Sequence, residues 1–127
     1  MGTGNSNSSS ISGTAGSNDD GFSSVCGYTT KLNNGAQGKH IPSHNNYDKN
    51  ANKSIFKGSL KDAQELISKF AGTGKRISEN KESVDFKKTI GVWINKNGNQ
   101  RLKTTRGIIH YGRKGAHIVP AHPNEKR

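Results

Sequence analysis

The chain has 127 residues, enough for one domain, but only 28% of them are hydrophobic and the mean hydropathy is −0.91. A core spread over the whole length would therefore be thin. The formal net charge is +11 and the isoelectric point is near 10.0, which makes a polyanion the natural partner: RNA, DNA, an anionic membrane or an acidic protein. Cys26 is the single cysteine, which excludes an intramolecular disulfide and a cysteine metal cluster. No apolar run approaches the length of a membrane span, and the N-terminus has neither the basic start nor the apolar core of a signal peptide.

Residues 1–25 are mostly Gly, Ser, Asn and Thr, too polar to offset their ordering entropy, so residues 1–30 are expected to be a flexible linker or the end of a longer spacer. That stretch holds Asp19 and Asp20 and no Lys or Arg. All 20 basic residues and the other seven acidic ones fall in residues 31–127, a net of +13 over the expected domain. Residues 31–58 are polar and aperiodic and read as loop, with one short extended piece around Lys39–Ile41 before Pro42. SLKDAQELISKFA (59–71) is the one clear helix. Ser59 and Asp62 resemble a capping box, Leu60, Ala63, Leu66, Ile67 and Phe70 form one stripe, and Gly72 is the stop. The polar stretch 73–83 reads as loop. TIGVWIN (89–95) reads as a strand, KNGN (96–99) as a turn carrying the Asn97-Gly98 dipeptide, and QRLKTTRGIIHY (100–111) as the returning strand with a bend at Gly107. GRKG (112–115) turns again, and AHIVPA (116–121) follows as an edge strand ending at Pro120. A helix region followed by an antiparallel meander makes an α+β domain.

The two last strands each carry a histidine. If GRKG is a four-residue hairpin loop, Tyr111 pairs with Ala116, His110 lies opposite His117, Ile109 opposite Ile118 and Ile108 opposite Val119. Directly opposed residues project to one face, roughly 5 Å apart at Cβ. Side-chain alternation adds Thr104, Arg106 and Ile108 to that face and sends Thr105, Ile109 and Tyr111 to the other. Two imidazoles over one substrate can serve as proton acceptor and proton donor in a single reaction. RNA cleavage needs that pair of roles: a base for the 2′-OH, an acid for the departing 5′-oxygen, and a cation for the phosphoryl charge. Lys39, Arg106, Arg113 and Lys114 are the available cations. A strand histidine that a neighbour merely satisfies shows the same pattern. His40 in GKHIP is equally open to both readings, and His44 and His122 read as loop residues. Trp93 suits a core position or a base-stacking one. The triplet His44–Asn46 is a faint echo of HNH nucleases and motivates a metal-dependent DNase as the alternative. A non-catalytic nucleic-acid-binding module is the third reading. Gly72 and Gly74 do not make a phosphate loop, and no nucleotide fingerprint occurs, so no cofactor and no metal are expected.

QGKHIPSHNNY (37–47), KFAGTGK (69–75), VDFKKTIG (84–91) and TTRGIIHYGRKGAHIVPAHP (104–123) resemble, in order and spacing, the bacterial polymorphic toxin type 50 family. The resemblance implies a C-terminal toxin domain of a large secreted or contact-dependent inhibition protein. It implies an RNase of the group uniting barnase, EndoU, RelE and the colicin tRNases, with a helical N-terminal region followed by a four-stranded antiparallel sheet. By the same resemblance the activity is metal-independent, directed at tRNA or another structured RNA in the target-cell cytoplasm. His40, Thr105, His110, Tyr111 and His117 are the implied catalytic residues. Lys39 and Arg106 are the implied phosphate-holding ones, with Arg113 and Lys114 added from charge as RNA contacts. Gly112 stands where the family pattern leads one to expect Ser, so no role is assigned there. A dedicated immunity protein, acidic to match the charge, is the implied partner, and a host activating factor is a further one.

Overall fold

The computed structural model describes residues 21–124. Residues 1–20, most of the expected linker, lie outside the described residues. Residues 24–29 form a hairpin of β1 (Ser24–Val25) and β2 (Tyr28–Thr29). Its central residues Cys26 and Gly27 have φ of 52° and 85°, the left-handed pair that a type I′ turn requires.

Local chemistry builds α2 (Leu60–Phe70) where the sequence places it. The Ser59 hydroxyl accepts the Asp62 N–H at 3.1 Å, and the Asp62 carboxylate accepts the Ser59 N–H at 2.9 Å. Ala63, Leu66 and Ile67 are buried, and Leu60 and Phe70 pack on the same core. A second, five-residue helix α1 (Asn34–Gly38) lies in the stretch read as loop, started by the Asn33 side chain accepting from the Ala36 N–H at 3.1 Å. The extended piece expected at Lys39–Ile41 is turn. The extended residues of that region are β3 (Ile55–Phe56).

The expectation of an N-terminal helix region followed by a four-stranded sheet is overturned. The chain is mostly β, with three antiparallel sheets and two short helices among the described residues, and strands precede both helices. One sheet is β1-β2. The second orders β3-β6-β7, with β6 (Gly91–Ile94) and β7 (Arg101–Thr104). The third orders β4-β5-β8-β9, with β4 (Lys75–Ser78), β5 (Lys81–Asp85), β8 (Arg106–Gly112) and β9 (Gly115–Pro120). Two physical reasons account for the difference. The stretch read as loop at 73–83 is the hairpin β4–β5, whose few apolar residues conceal it and whose β5 strand is paired by β8, with Lys81 opposite His110, 29 residues on. The returning strand 100–111 is not one strand bent at Gly107. It breaks at Thr105, so that β7 serves the second sheet and β8 the third.

Three clamps hold this arrangement. The outer edge of β9 is covered by Lys31–Asn33, with Asn33 N–H donating to the Ala116 carbonyl and Ala116 N–H to that of Lys31, both at 2.8 Å. A Cβ on Gly115, whose φ is 122°, would stand 2.6 Å from that Lys31 oxygen, so the close approach needs glycine. The buried Gln37 side chain then pairs with both backbone groups of Ile118, donating to its carbonyl at 3.0 Å and accepting its N–H at 2.7 Å. On the core side, the buried Glu82 carboxylate accepts from Tyr111 Oη at 2.6 Å, Gly72 N–H at 3.0 Å and Gly74 N–H at 2.6 Å. These three bonds join the turn after α2 to β5 and β8. Glu82→Ala leaves those donors without an acceptor and should lower unfolding stability by about 3 kcal/mol, with Tyr111→Phe costing about 1 kcal/mol, as read from urea midpoints.

Candidate active site

Along β8 the side chains alternate: Gly107, Ile109 and Tyr111 are buried inward, while Arg106, Ile108 and His110 face outward and are half-buried. The β8–β9 register pairs His110 with His117, Ile109 with Ile118 and Tyr111 with Ala116, as the hairpin count gives it. Gly112 and Gly115 also pair, so the loop is the two residues Arg113 and Lys114. The His110 and His117 rings stack with centroids 4.9 Å apart and planes at 29°. A third ring extends the row: His40 lies 6.0 Å from His117 at 19°. The Gln37 clamp on Ile118 puts it there, because His40 follows three residues after Gln37 at the end of α1. His40 Nδ1 bonds the Ser54 carbonyl at 2.8 Å, and a carbonyl only accepts, so Nδ1 carries the proton and Nε2 is the basic nitrogen.

The structure thus brings together His40, His110 and His117, with Lys39 exposed next to His40. Arg113 and Lys114 are exposed at the hairpin tip, past the same end of β8 as His110. Three other expected residues stand apart. Tyr111 points into the core on the opposite face, bonded to Glu82 and stacked on Tyr28 at 6.2 Å. Thr105 sits at the crossing between sheets, where its carbonyl accepts the Phe86 N–H at 2.9 Å. Arg106 shares the histidine face but lies four residues from His110 along the strand, about 13 Å at the usual rise. Its guanidinium donates to Ser83 Oγ at 3.2 Å and reaches Asp85 at 3.9 Å, and its Nε is buried without a hydrogen-bond partner among the described residues.

Two cations that sequence reasoning missed flank the row. Lys81 pairs with His110 in the β5–β8 register, and Lys53 acts electrostatically on both His40 and His117. Recognising 81–85 as a strand would have found Lys81. No signal in the sequence points to Lys53. His44 and Asn46 turn inward on their own segment instead, with Asn46 N–H donating to His44 Nδ1 and Asn46 Nδ2 to the Gly35 carbonyl, each at 3.0 Å. His122 packs edge-on against Trp93 at 4.7 Å, away from the row. No group of three His, Cys, Asp or Glu side chains able to hold a metal occurs among the described residues.

The family model for bacterial toxin 50 matches residues 32–120, from the segment that covers the edge of β9 to the last residue of β9 itself. The chain belongs to the bacterial toxin 50 family. No curated protein matches the sequence. Membership makes this a bacterial toxin domain, fits delivery into target cells and implies a cognate immunity partner. No helix among the described residues is long and apolar enough to cross a membrane.

The toxin domain keeps its three imidazoles neutral. Burial pushes His110 down to about 4, and repulsion from Lys81, and from His40 when it is protonated, adds to it. Burial likewise pushes His117 to about 4, with His110, His40, Lys39 and Lys53 contributing. Burial lowers His40 too, against the opposing pull of the Ser54 carbonyl. A ring at about 4 when folded and near 6.5 when unfolded binds fewer protons in the native state between those values, so stability rises with pH across that window and is flat above it. The urea midpoint should therefore be lower at pH 4.5 than at pH 7.5. The double variant His110→Asn/His117→Asn should lose most of that difference.

Proposed function

We propose that the toxin domain is an endoribonuclease that cleaves by transesterification, leaving 2′,3′-cyclic phosphate ends. The single observation that carries this reading is the row of three stacked imidazoles on an outward face of the four-stranded sheet, with Lys81 at one end and Lys39 and Lys53 at the other. A neutral ring takes the proton from a ribose 2′-OH, and the oxygen attacks the adjacent phosphorus. A protonated ring returns a proton to the departing 5′-oxygen, and the lysines hold the charge that gathers on the phosphoryl oxygens. Rings stacked at 4.9 Å leave no space between them for a phosphate, so the scissile group lies across the edge of the row. His110 and His117 are half-buried on that face, while His40 is buried beneath its end. Arg106, Arg113 and Lys114 extend the cationic track for neighbouring phosphates. Tyr111 and Thr105 support the fold in this reading and touch no substrate. The basic domain from residue 31 onward is carried by a larger secreted or surface-delivered protein and acts in the cytoplasm of the target bacterium. Its substrate is tRNA or another structured RNA, a host factor assists where purified protein is inactive, and an acidic immunity protein neutralises it.

Purified protein, with cell extract supplied in one arm, should degrade RNA in EDTA and leave cyclic phosphate ends. His110→Ala and His117→Ala should each lower the rate at least about 100-fold. Plasmid nicking that requires a divalent ion would replace the reading with a DNase. Toxicity unchanged in both variants would replace it with a non-catalytic binding module.

The charge state of the row adds a pH signature. One ring must be protonated, and in the free protein His110 and His117 titrate near 4. Above that value the protonated fraction falls about tenfold per pH unit, so kcat/KM on a short oligonucleotide should decline between about pH 5 and pH 7. Bound phosphate offsets the repulsion from Lys81 and Lys39, so the kcat profile should lie at higher pH than that of kcat/KM.

A further inference from the structure

A cavity of about 130 Å³ opens beside the Lys81 end of the row, under the β1–β2 turn. Its walls include Cys26, Tyr28, Arg76, Glu79, Lys81 and Tyr111. It is too small for a drug-sized ligand and of the order of one planar ring. One wall is aromatic: Tyr28 is partly exposed and backed by Tyr111, whose ring lies 6.2 Å away at 28°. Tyr28 Oη donates to Glu79 Oε2 at 3.2 Å, and the other carboxylate oxygen makes no hydrogen bond among the described residues. The Arg76 side chain is folded back on the β4–β5 turn, donating to the Ser78 and Glu79 carbonyls at 3.2 Å, which keeps its charge at the rim. Gly72, Gly74, Glu82 and Tyr111 also line it and put the cavity on the inner face of the sheet, at its end; Lys81, the register partner of His110 on the outward face, is the lining residue where cavity and row meet.

We infer that this cavity is a nucleobase subsite: an unpaired base carrying an amino group, adenine, cytosine or guanine, stacks on Tyr28 and donates to Glu79, while its phosphate lies on Lys81 beside His110. This rests on the ribonuclease reading and adds the specificity it lacks. A base has a π-face for Tyr28 whatever its identity, so stacking alone does not discriminate. The carboxylate does. It accepts from an amino edge, N6 of adenine, N4 of cytosine or N2 of guanine, whereas uracil has no amino group and presents the O4 carbonyl where cytosine has N4. Arg76 and Lys81 supply the cations that a base carrying its own phosphate requires.

The test reads cut positions on a mixed-sequence single-stranded RNA treated with wild-type protein. Cuts beside A, C or G should exceed cuts beside U by about tenfold, the size of one hydrogen bond to a charged acceptor. Glu79→Gln should flatten the profile, because the amide can also donate to uracil. An unchanged profile in that variant overturns the subsite. Tyr28 packs against the core, so Tyr28→Ala is supplemented by a block in the intact protein: N-ethylmaleimide on Cys26, which is exposed at the cavity, with Cys26→Ser as the insensitive control. Binding of oligocytidylate and oligouridylate separates this inference from the nuclease reading. If the protein cuts no RNA yet binds oligocytidylate more tightly, and alkylation removes the difference, the subsite stands and the nuclease reading falls. Equal binding of the two oligonucleotides, with or without alkylation, overturns the subsite whatever the protein cleaves.

Discussion

The site depends on one pairing, β8 against β9 closed by the two residues Arg113 and Lys114. In an antiparallel ladder the side chains alternate, so a slip of one residue would carry His110 from the outward face into the core and bring Tyr111 out. The register is held at both ends. At the turn, Gly115 admits the Lys31 carbonyl that caps the edge of β9. Near the other end, Gln37 occupies both backbone groups of Ile118. The second clamp has a consequence for chemistry as well as for the fold. It fixes α1 against β9 and so delivers His40 to the imidazole row, 77 residues away from His117 in the chain.

The row is electrostatically uneasy by construction. Three imidazoles are packed side by side, partly desolvated, and bordered by lysines at both ends, so that none of them carries charge near neutrality. A polyanion reverses each of those effects at once: it compensates the lysines and favours the protonated ring. The surrounding surface works in the same sense. With a net charge of +11 the protein repels itself and attracts polyanions over a distance.

The two faces of the four-stranded sheet divide the work. Outward lie His110, His117, Lys81 and Arg106. Inward lie Ile109, Ile118, Tyr111 and Glu82, all buried. Glu82 is the sharpest case, since a buried carboxylate is costly unless its lone pairs are met, and here three donors meet them. It braces β5 directly behind Lys81, so the stability of the inner face holds a cation on the outer one. Tyr111 belongs to this brace. Strand alternation sends its side chain to the face opposite that of its chain neighbour His110.

What the sequence determined by itself was local. The Ser59–Asp62 box and the apolar stripe after it specify α2, and the spacing of IIHY and AHIVPA around GRKG specifies which histidines face each other, because turns, caps and strand alternation are set by neighbours in the chain. The toxin family, too, was legible in the order of its short motifs. The tertiary structure alone decided the rest. KRIS and KESVD carry too little apolar character to read as strands and become so only by pairing, KESVD with β8 and KRIS with KESVD. The strand from 100 to 111 divides at Thr105 because two sheets compete for it. His40, Lys81 and Lys53 join the site through a glutamine clamp, a strand register and a loop packing, none of which leaves a periodic mark in the sequence. Long-range pairing is a property of the assembled sheet, and its energy comes from burial that no single segment contains.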